Sequence, residues 1–222
     1  DVVFLMDRFG YAKTVDVSVY ERNKEAADTE NRYILTCKNT DKICIFTNKG
    51  QMHLLKVLDL PYGKFRDKGI PIDNLSNYNS SEENFIYIIN LGAIIHSRLL
   101  FGTKTAMLKM VDGSEFDVAK RTTAATKLNE DDELLIVHAM TGEETVVMQS
   151  EKEMFLRIEA STIPEKKKGA VGVRGMKLNA GDALSHIYVL DGESEQTVEV
   201  KGKEVVLNRL HVGNRDTKGT KR

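Results

Sequence analysis

The clearest chemistry in the chain lies between Pro164 and Leu178. Lys166, Lys167 and Lys168 stand in a row, Arg174 and Lys177 follow, and Gly169, Gly172 and Gly175 leave bare backbone between them. Ammonium and guanidinium groups beside accessible N–H groups are the donors that phosphate oxygens accept from. The glycines lack the strand-to-helix layout of a dinucleotide-binding turn, so the cluster points to a phosphate backbone and away from a nucleotide pocket; a solvated basic loop is the competing reading of this stretch alone. Catalytic chemistry is missing. His53, His96, His138, His186 and His211 occur singly, with no paired histidines or carboxylates at zinc-ligand spacing. Cys37 and Cys44 are too few for a disulfide framework and read as reduced, packed thiols. No Gly-x-Ser-x-Gly elbow, P-loop or kinase signature is present. The expected site therefore contains no catalytic residue and no metal ligand.

The elements that must carry the basic cluster are strands. Runs such as Ile43 to Thr47, His53 to Val57, Phe85 to Ile89, Leu134 to Val137, Thr145 to Met148, His186 to Leu190 and Glu204 to Leu207 are β-rich and of strand length. Gly and Asn at the intervening turns supply the positive φ that tight hairpins need. No segment sustains an apolar helical stripe over three turns, and the best helical stretch, Tyr20 to Glu30, is almost wholly polar, so little helix is expected. Hairpin turns at Phe9-Gly10, Lys49-Gly50, Asp112-Gly113, Glu151-Lys152 and Lys201-Gly202 are separated by 40, 63, 39 and 50 residues, the spacing of propeller blades. A connecting element recurs with them: Arg66-Asp67-Lys68-Gly69-Ile70-Pro71 after the second turn, Lys166 to Leu178 after the fourth, and Arg215 to Gly219 after the last. The third unit fits worst, because Lys120-Arg121 is followed by Thr122 where a glycine is expected. The reading is an all-β disc of about five four-stranded blades in one domain spanning 1–222.

Repetition gives the basic residues a common place. Lys49, Lys56, Arg66 and Lys68 in the second unit, Lys120 and Arg121 in the third, and Arg209, Arg215 and Lys218 in the fifth join Lys166, Lys167, Lys168, Arg174 and Lys177 as candidate DNA contacts. Placed on equivalent blade edges they form a discontinuous basic belt, which suits a bent duplex held by its phosphates without base readout. The bulk charge neither announces nor excludes this, since 32 Lys and Arg face 33 Asp and Glu. The acidic stretch Asn129 to Glu133 reads as a solvated turn, and with the balanced charge it motivates the alternative of a propeller-like protein-interaction scaffold. With 41% hydrophobic and 29% charged residues the chain has material for a core, and it has no run of apolar residues near membrane-spanning length. The start at Asp1, directly followed by a strand-like run, suggests a piece of a longer protein.

Several segments together resemble the C-terminal β-pinwheel of the A subunit of bacterial type IIA topoisomerases, meaning DNA gyrase and topoisomerase IV. They are Asp1 to Phe4 with Arg8 to Lys13, Ile43 to His53, Val57 to Pro61 with Arg66 to Ile72, and Lys168 to Leu178. The resemblance implies a noncatalytic disc that binds and bends duplex DNA for a cleavage core whose tyrosine lies in another domain. It also implies a partner in a separate ATPase B subunit, with ATP and magnesium as cofactors of the holoenzyme only, a cytoplasmic, nucleoid-associated location, and an isolated domain that is a monomer. Gyrase carries a Gln-Arg-Arg-Gly-Gly-Lys-Gly box in its first blade, needed there for DNA wrapping. The matching stretch here, Glu21-Arg22-Asn23-Lys24-Glu25-Ala26-Ala27-Asp28, has no glycine and three acids. The resemblance thus leans toward topoisomerase IV, with an atypical gyrase as the alternative, and suggests a disc left open or distorted.

Overall fold

The computed structural model describes residues 1–222. Unit 1 runs β1 (Val2–Met6), β2 (Tyr11–Asp16), α1 (Val17–Arg22), α2 (Lys24–Glu30) and β3 (Tyr33–Cys37). Unit 2 has β4 (Lys42–Thr47), β5 (Gln51–Lys56), β6 (Ile70–Pro71) and β7 (Phe85–Asn90). A short helix, α3 (Leu91–Ile94), leads to unit 3, with β8 (Arg98–Thr103), β9 (Met107–Asp112), β10 (Thr122–Ala124) and β11 (Leu134–Met140). Unit 4 comprises β12 (Thr145–Ser150), β13 (Met154–Glu159), β14 (Val173–Arg174), β15 (Met176–Lys177) and β16 (Leu184–Leu190). Unit 5 comprises β17 (Thr197–Val200), β18 (Lys203–Val206), β19 (Val212–Gly213), β20 (Thr217–Lys218) and β21 (Thr220–Lys221).

The sheets interlock neighbouring units. Each of the first four units pairs its hairpin antiparallel and adds its last long strand to the first hairpin strand, as β3-β1-β2, β7-β4-β5, β11-β8-β9 and β16-β12-β13. The free edge of the second hairpin strand is then covered by a crossover strand of the following unit: β6 on β2, β10 on β5, β14 on β9, and β19, in parallel, on β13. Four units therefore form four-stranded cores, whereas unit 5 is a two-stranded hairpin, β17-β18, with no further strand on either side. The strands β3, β7, β11 and β16 touch one another in that order and lie innermost, while the crossovers lie outermost. Tyr33 and Phe85 meet edge to face across β3 and β7, and Tyr87 stacks on His138 across β7 and β11.

Strand alternation builds the layers. On β4, Ile43 and Ile45 face unit 1, and Cys44 and Phe46 face unit 3. On β8, Leu99 and Phe101 face unit 2, and Leu100 faces unit 4; on β12, Val146 and Met148 face unit 3, and Val147 faces unit 5. A period of two thus gives every blade two buried faces, as stacked sheets require. Burial pushes the Cys37 thiol up to about 11 and the Cys44 thiol up to about 12, which leaves both unreactive at neutral pH.

Two expectations need correction. The segment around Tyr20 to Glu30 is helical: α1 and α2 cover the outer face of blade 1, where Ala27 is fully buried with Val3, Leu5 and Val15. A single alanine, flanked by Val17, Val19 and Tyr20, is all the apolar contact this pair needs, so it has no long hydrophobic stripe to detect. The third hairpin turn lies at Lys104 to Ala106, not at Asp112-Gly113, which begins a 3-10 turn after β9. The left-handed position held by Gly10 and Gly50 in the first two turns is held by Ala106 (φ 67°) in the third and Glu153 (φ 63°) in the fourth, so the glycine marker is absent there. No sheet pairing joins unit 5 to unit 1, and the array is an open arc.

Candidate nucleic-acid interface

A basic side chain at one position of each second hairpin strand holds the following crossover loop. Lys13 on β2 donates to the carbonyls of Phe65 and Asp67; Lys109 on β9 donates to those of Lys167, Lys168 and Ala170, at 2.9, 3.2 and 2.7 Å. Arg157 on β13 donates to those of Asn208 and Leu210 at 2.7 and 3.2 Å. Lys109 is essentially inaccessible, with its ammonium over the Phe101 ring, and burial lowers its pKa to about 8 against a smaller opposing pull from Glu115. Loss of hydration likewise lowers Lys13, with Glu30, Asp67 and Asp7 opposing.

Glycine makes the lysine clamps possible. A Cβ on Gly69 would lie 2.5 Å from the Ala12 carbonyl oxygen, and one on Gly172 would lie 2.5 Å from that of Leu108. Crossover and strand backbones therefore approach too closely for any side chain. In unit 3 the exception seen in sequence has a structural counterpart. Thr122 pairs with His53 on β5, its hydroxyl lies 2.8 Å from His53 Nδ1, and His53 Nε2 lies 2.8 Å from Glu83. Threonine with histidine replaces glycine with lysine.

So held, the outer loops present many cations to solvent. Lys56, Arg66, Lys68, Lys120, Lys166, Lys167, Lys177 and Lys218 are exposed without an ion-pair partner, Lys68 lying 4.6 Å over the Tyr11 ring. Other expected contacts are engaged within the protein. Lys168 turns inward to the Glu115 carbonyl and the Thr123 hydroxyl, both at 3.1 Å, and Arg215 donates to the carbonyls of Thr162 and Arg174. Arg174 pairs with Asp216 at 2.5 Å, Lys49 with Glu133 at 3.3 Å, and Arg209 loosely with Glu195 at 3.7 Å. Arg121 remains exposed while donating to the Leu75 carbonyl. Two outward cations were not anticipated, Lys64 and Lys42. The register sets Lys42 directly opposite Lys56, and both line a groove with Lys120 and Arg121, relieved only by Asp59. Like charges opposed across strands repel, and only the pairing register, which sequence spacing does not reveal, brings them together.

The acidic stretch is not a solvated turn. Asp132 is buried and accepts from the Thr105 N–H and hydroxyl, and Glu133 bonds Lys104 at 2.6 Å as well as Lys49. The Lys104 bond foremost holds the Glu133 carboxyl below its usual range. These acids tie the hairpin turns of units 2 and 3. No group of three or more His, Cys, Asp or Glu side chains is arranged to hold a metal ion, and no helix is long and apolar enough to cross a membrane.

The family model for the DNA gyrase C-terminal domain, a β-propeller, matches residues 97–139 and 144–191. These spans coincide with units 3 and 4 as the structure divides them. The DNA gyrase A protein of Lawsonia intracellularis is 28% identical over 99% of this chain and 29% of its own length; that of Staphylococcus epidermidis is 29% identical over 99% and 26%. The chain belongs to the C-terminal domains of type IIA topoisomerase A subunits. This domain spans under a third of the length of those relatives. Its fold is shared with the C-terminal domain of DNA topoisomerase IV at TM-score 0.87 and 22% identity, covering 99% of this chain and 71% of the other. It is also shared with the E. coli ParC C-terminal domain at TM-score 0.79 and 15% identity (100% and 93% covered), and with the DNA gyrase A C-terminal domain at 0.65 and 17% (99% and 76%).

Proposed function

We propose that residues 1–222 form a single noncatalytic module that binds duplex DNA through its phosphates, bends it along the outer crossovers, and presents it to the cleavage core of a type IIA topoisomerase. The observation that carries this reading is the opposition of Lys42 and Lys56 in one groove with Lys120 and Arg121. Cations held together without acids to balance them are relieved by an external polyanion. The crossover loops bearing Lys64, Arg66 and Lys68 in unit 2 and Lys166 and Lys167 in unit 4 lie on the same outer edge of the arc. Loop carbonyls taken up by Lys13 and Lys109 leave these side chains free to face outward.

Within the family, a topoisomerase IV type of module is supported by the place of α1 and α2. The stretch matching the glycine-rich basic box of gyrase is here helical, acidic and packed on blade 1. It has neither the bare backbone nor the charge to hold a wrapped duplex, so bending without full wrapping is the proposed mode. In this reading ATP and magnesium act elsewhere in the holoenzyme. The partners are the ATPase B subunit, together with the remainder of the A subunit; the isolated domain is a monomer, and the setting is the bacterial cytoplasm and nucleoid.

Binding to a long duplex across a salt series, with ligation of nicked circular plasmid in the protein's presence, tests the proposal. Salt-sensitive binding with little trapped writhe is expected. Strong positive writhe would show wrapping and move the domain to the gyrase type; absence of binding at low salt would overturn the DNA reading.

A further inference from the structure

Every second hairpin strand except one has its outer edge covered by a crossover from the next unit. The exception is β18, which pairs only with β17. Leu207 N–H bonds the Gln196 carbonyl, and the alternation of an antiparallel ladder then turns the N–H and C=O groups of Glu204 and Val206 away from β17. Beside this edge lies a groove floored by Val200, Val205 and Leu210 and flanked by Lys203, Arg209 and Lys221. None of the three cations has a close acid partner, the nearest being Glu195 at 3.7 Å from Arg209. An edge with unpaired backbone groups, an apolar floor and cations along it is built to add a strand.

We infer that the β18 edge is a docking site for an extended, acidic peptide segment of a partner protein, which adds to the sheet as the crossover that unit 5 lacks. Charge complementarity selects an acidic segment, and the main-chain ladder selects an extended one. Duplex DNA has no groups to complete that ladder and would meet Glu193, Glu195, Glu199 and Glu204 around the same hairpin. The site is independent of the groove at Lys42 and Lys56, on another unit.

The whole 222-residue chain is titrated, by fluorescence anisotropy, into a labelled peptide of about eight residues that alternates glutamate and valine. Saturable binding is expected, and a version with lysine in place of glutamate should bind at least about tenfold more weakly. Val206→Pro removes one outward N–H at a residue whose φ of −83° already suits proline, and leaves the β17 ladder intact. That variant should keep its thermal transition and lose peptide affinity by about tenfold or more. Lack of saturable binding, or unchanged affinity in Val206→Pro, overturns the proposal. So does loss of duplex affinity in the same variant, which would give the edge to DNA, or a Val206-dependent dimer of the chain in sedimentation, which would give it to a second copy.

Discussion

Lys109 is buried, charged at neutral pH and bonded to three loop carbonyls. In the unfolded chain a lysine keeps its proton to about 10.5, whereas Lys109 releases it near 8. Between those values the unfolded chain binds the extra proton, so this group's contribution to stability rises with pH through that window. Urea denaturation should show the stability of the native protein relative to Lys109→Met increasing by about 1 to 2 kcal/mol from about pH 7.5 to 9.5; a decrease would contradict a lowered pKa. Gly172→Ala places a methyl against the Leu108 carbonyl and should destabilise by about 1 to 3 kcal/mol in the same assay. Basic residue type alone did not separate the two uses of charge. Lys168 and Arg215, expected at the DNA, serve the fold through loop carbonyls, while Lys42 and Lys64 face outward unannounced.

Turns and caps decide how the elements follow one another. The β17-β18 turn puts Lys201 at φ 50° and Gly202 at φ 78°, both left-handed, where Asn-Gly is the favoured pair. Lys201→Asn should therefore raise thermal stability, by about 0.5 kcal/mol. At the other end of the arc, α1 and α2 close blade 1 through Ala27, which is fully buried. Ala27→Leu overfills that contact and should cost about 1 to 3 kcal/mol by urea titration, without changing the salt dependence of DNA binding. The strands were legible because apolar residues alternate along them. The third turn was misplaced because Ala106 occupies the left-handed position, and the helices were missed because a cap at an array end buries so little.

Across the whole molecule, the arc should bind DNA as a distributed polycation. Lys166→Ala with Lys167→Ala should weaken all duplex sequences alike and flatten the slope of log K against log salt by roughly 2, about 0.9 per phosphate contact. Lys168→Ala and Arg215→Ala, whose side chains are spent inside the fold, should lower stability and leave that slope nearly unchanged. An equal slope change in both sets would mean that the internal bonds do not hold in solution.

The sequence by itself determined the all-β class, the repeated hairpins and crossovers, and the basic residues that recur in them. These follow from local rules, namely alternation for strands, left-handed turn residues and glycine where backbones touch. The tertiary structure decided which cations reach solvent, the meeting of Lys42 with Lys56, the anchoring of Asp132 and Glu133, and the ends of the arc. Each of those rests on crossovers that place one unit's loop on the previous unit's strand. The partners are far apart in the chain, as with Lys13 and Asp67 or Lys109 and Ala170, and no local pattern encodes their encounter.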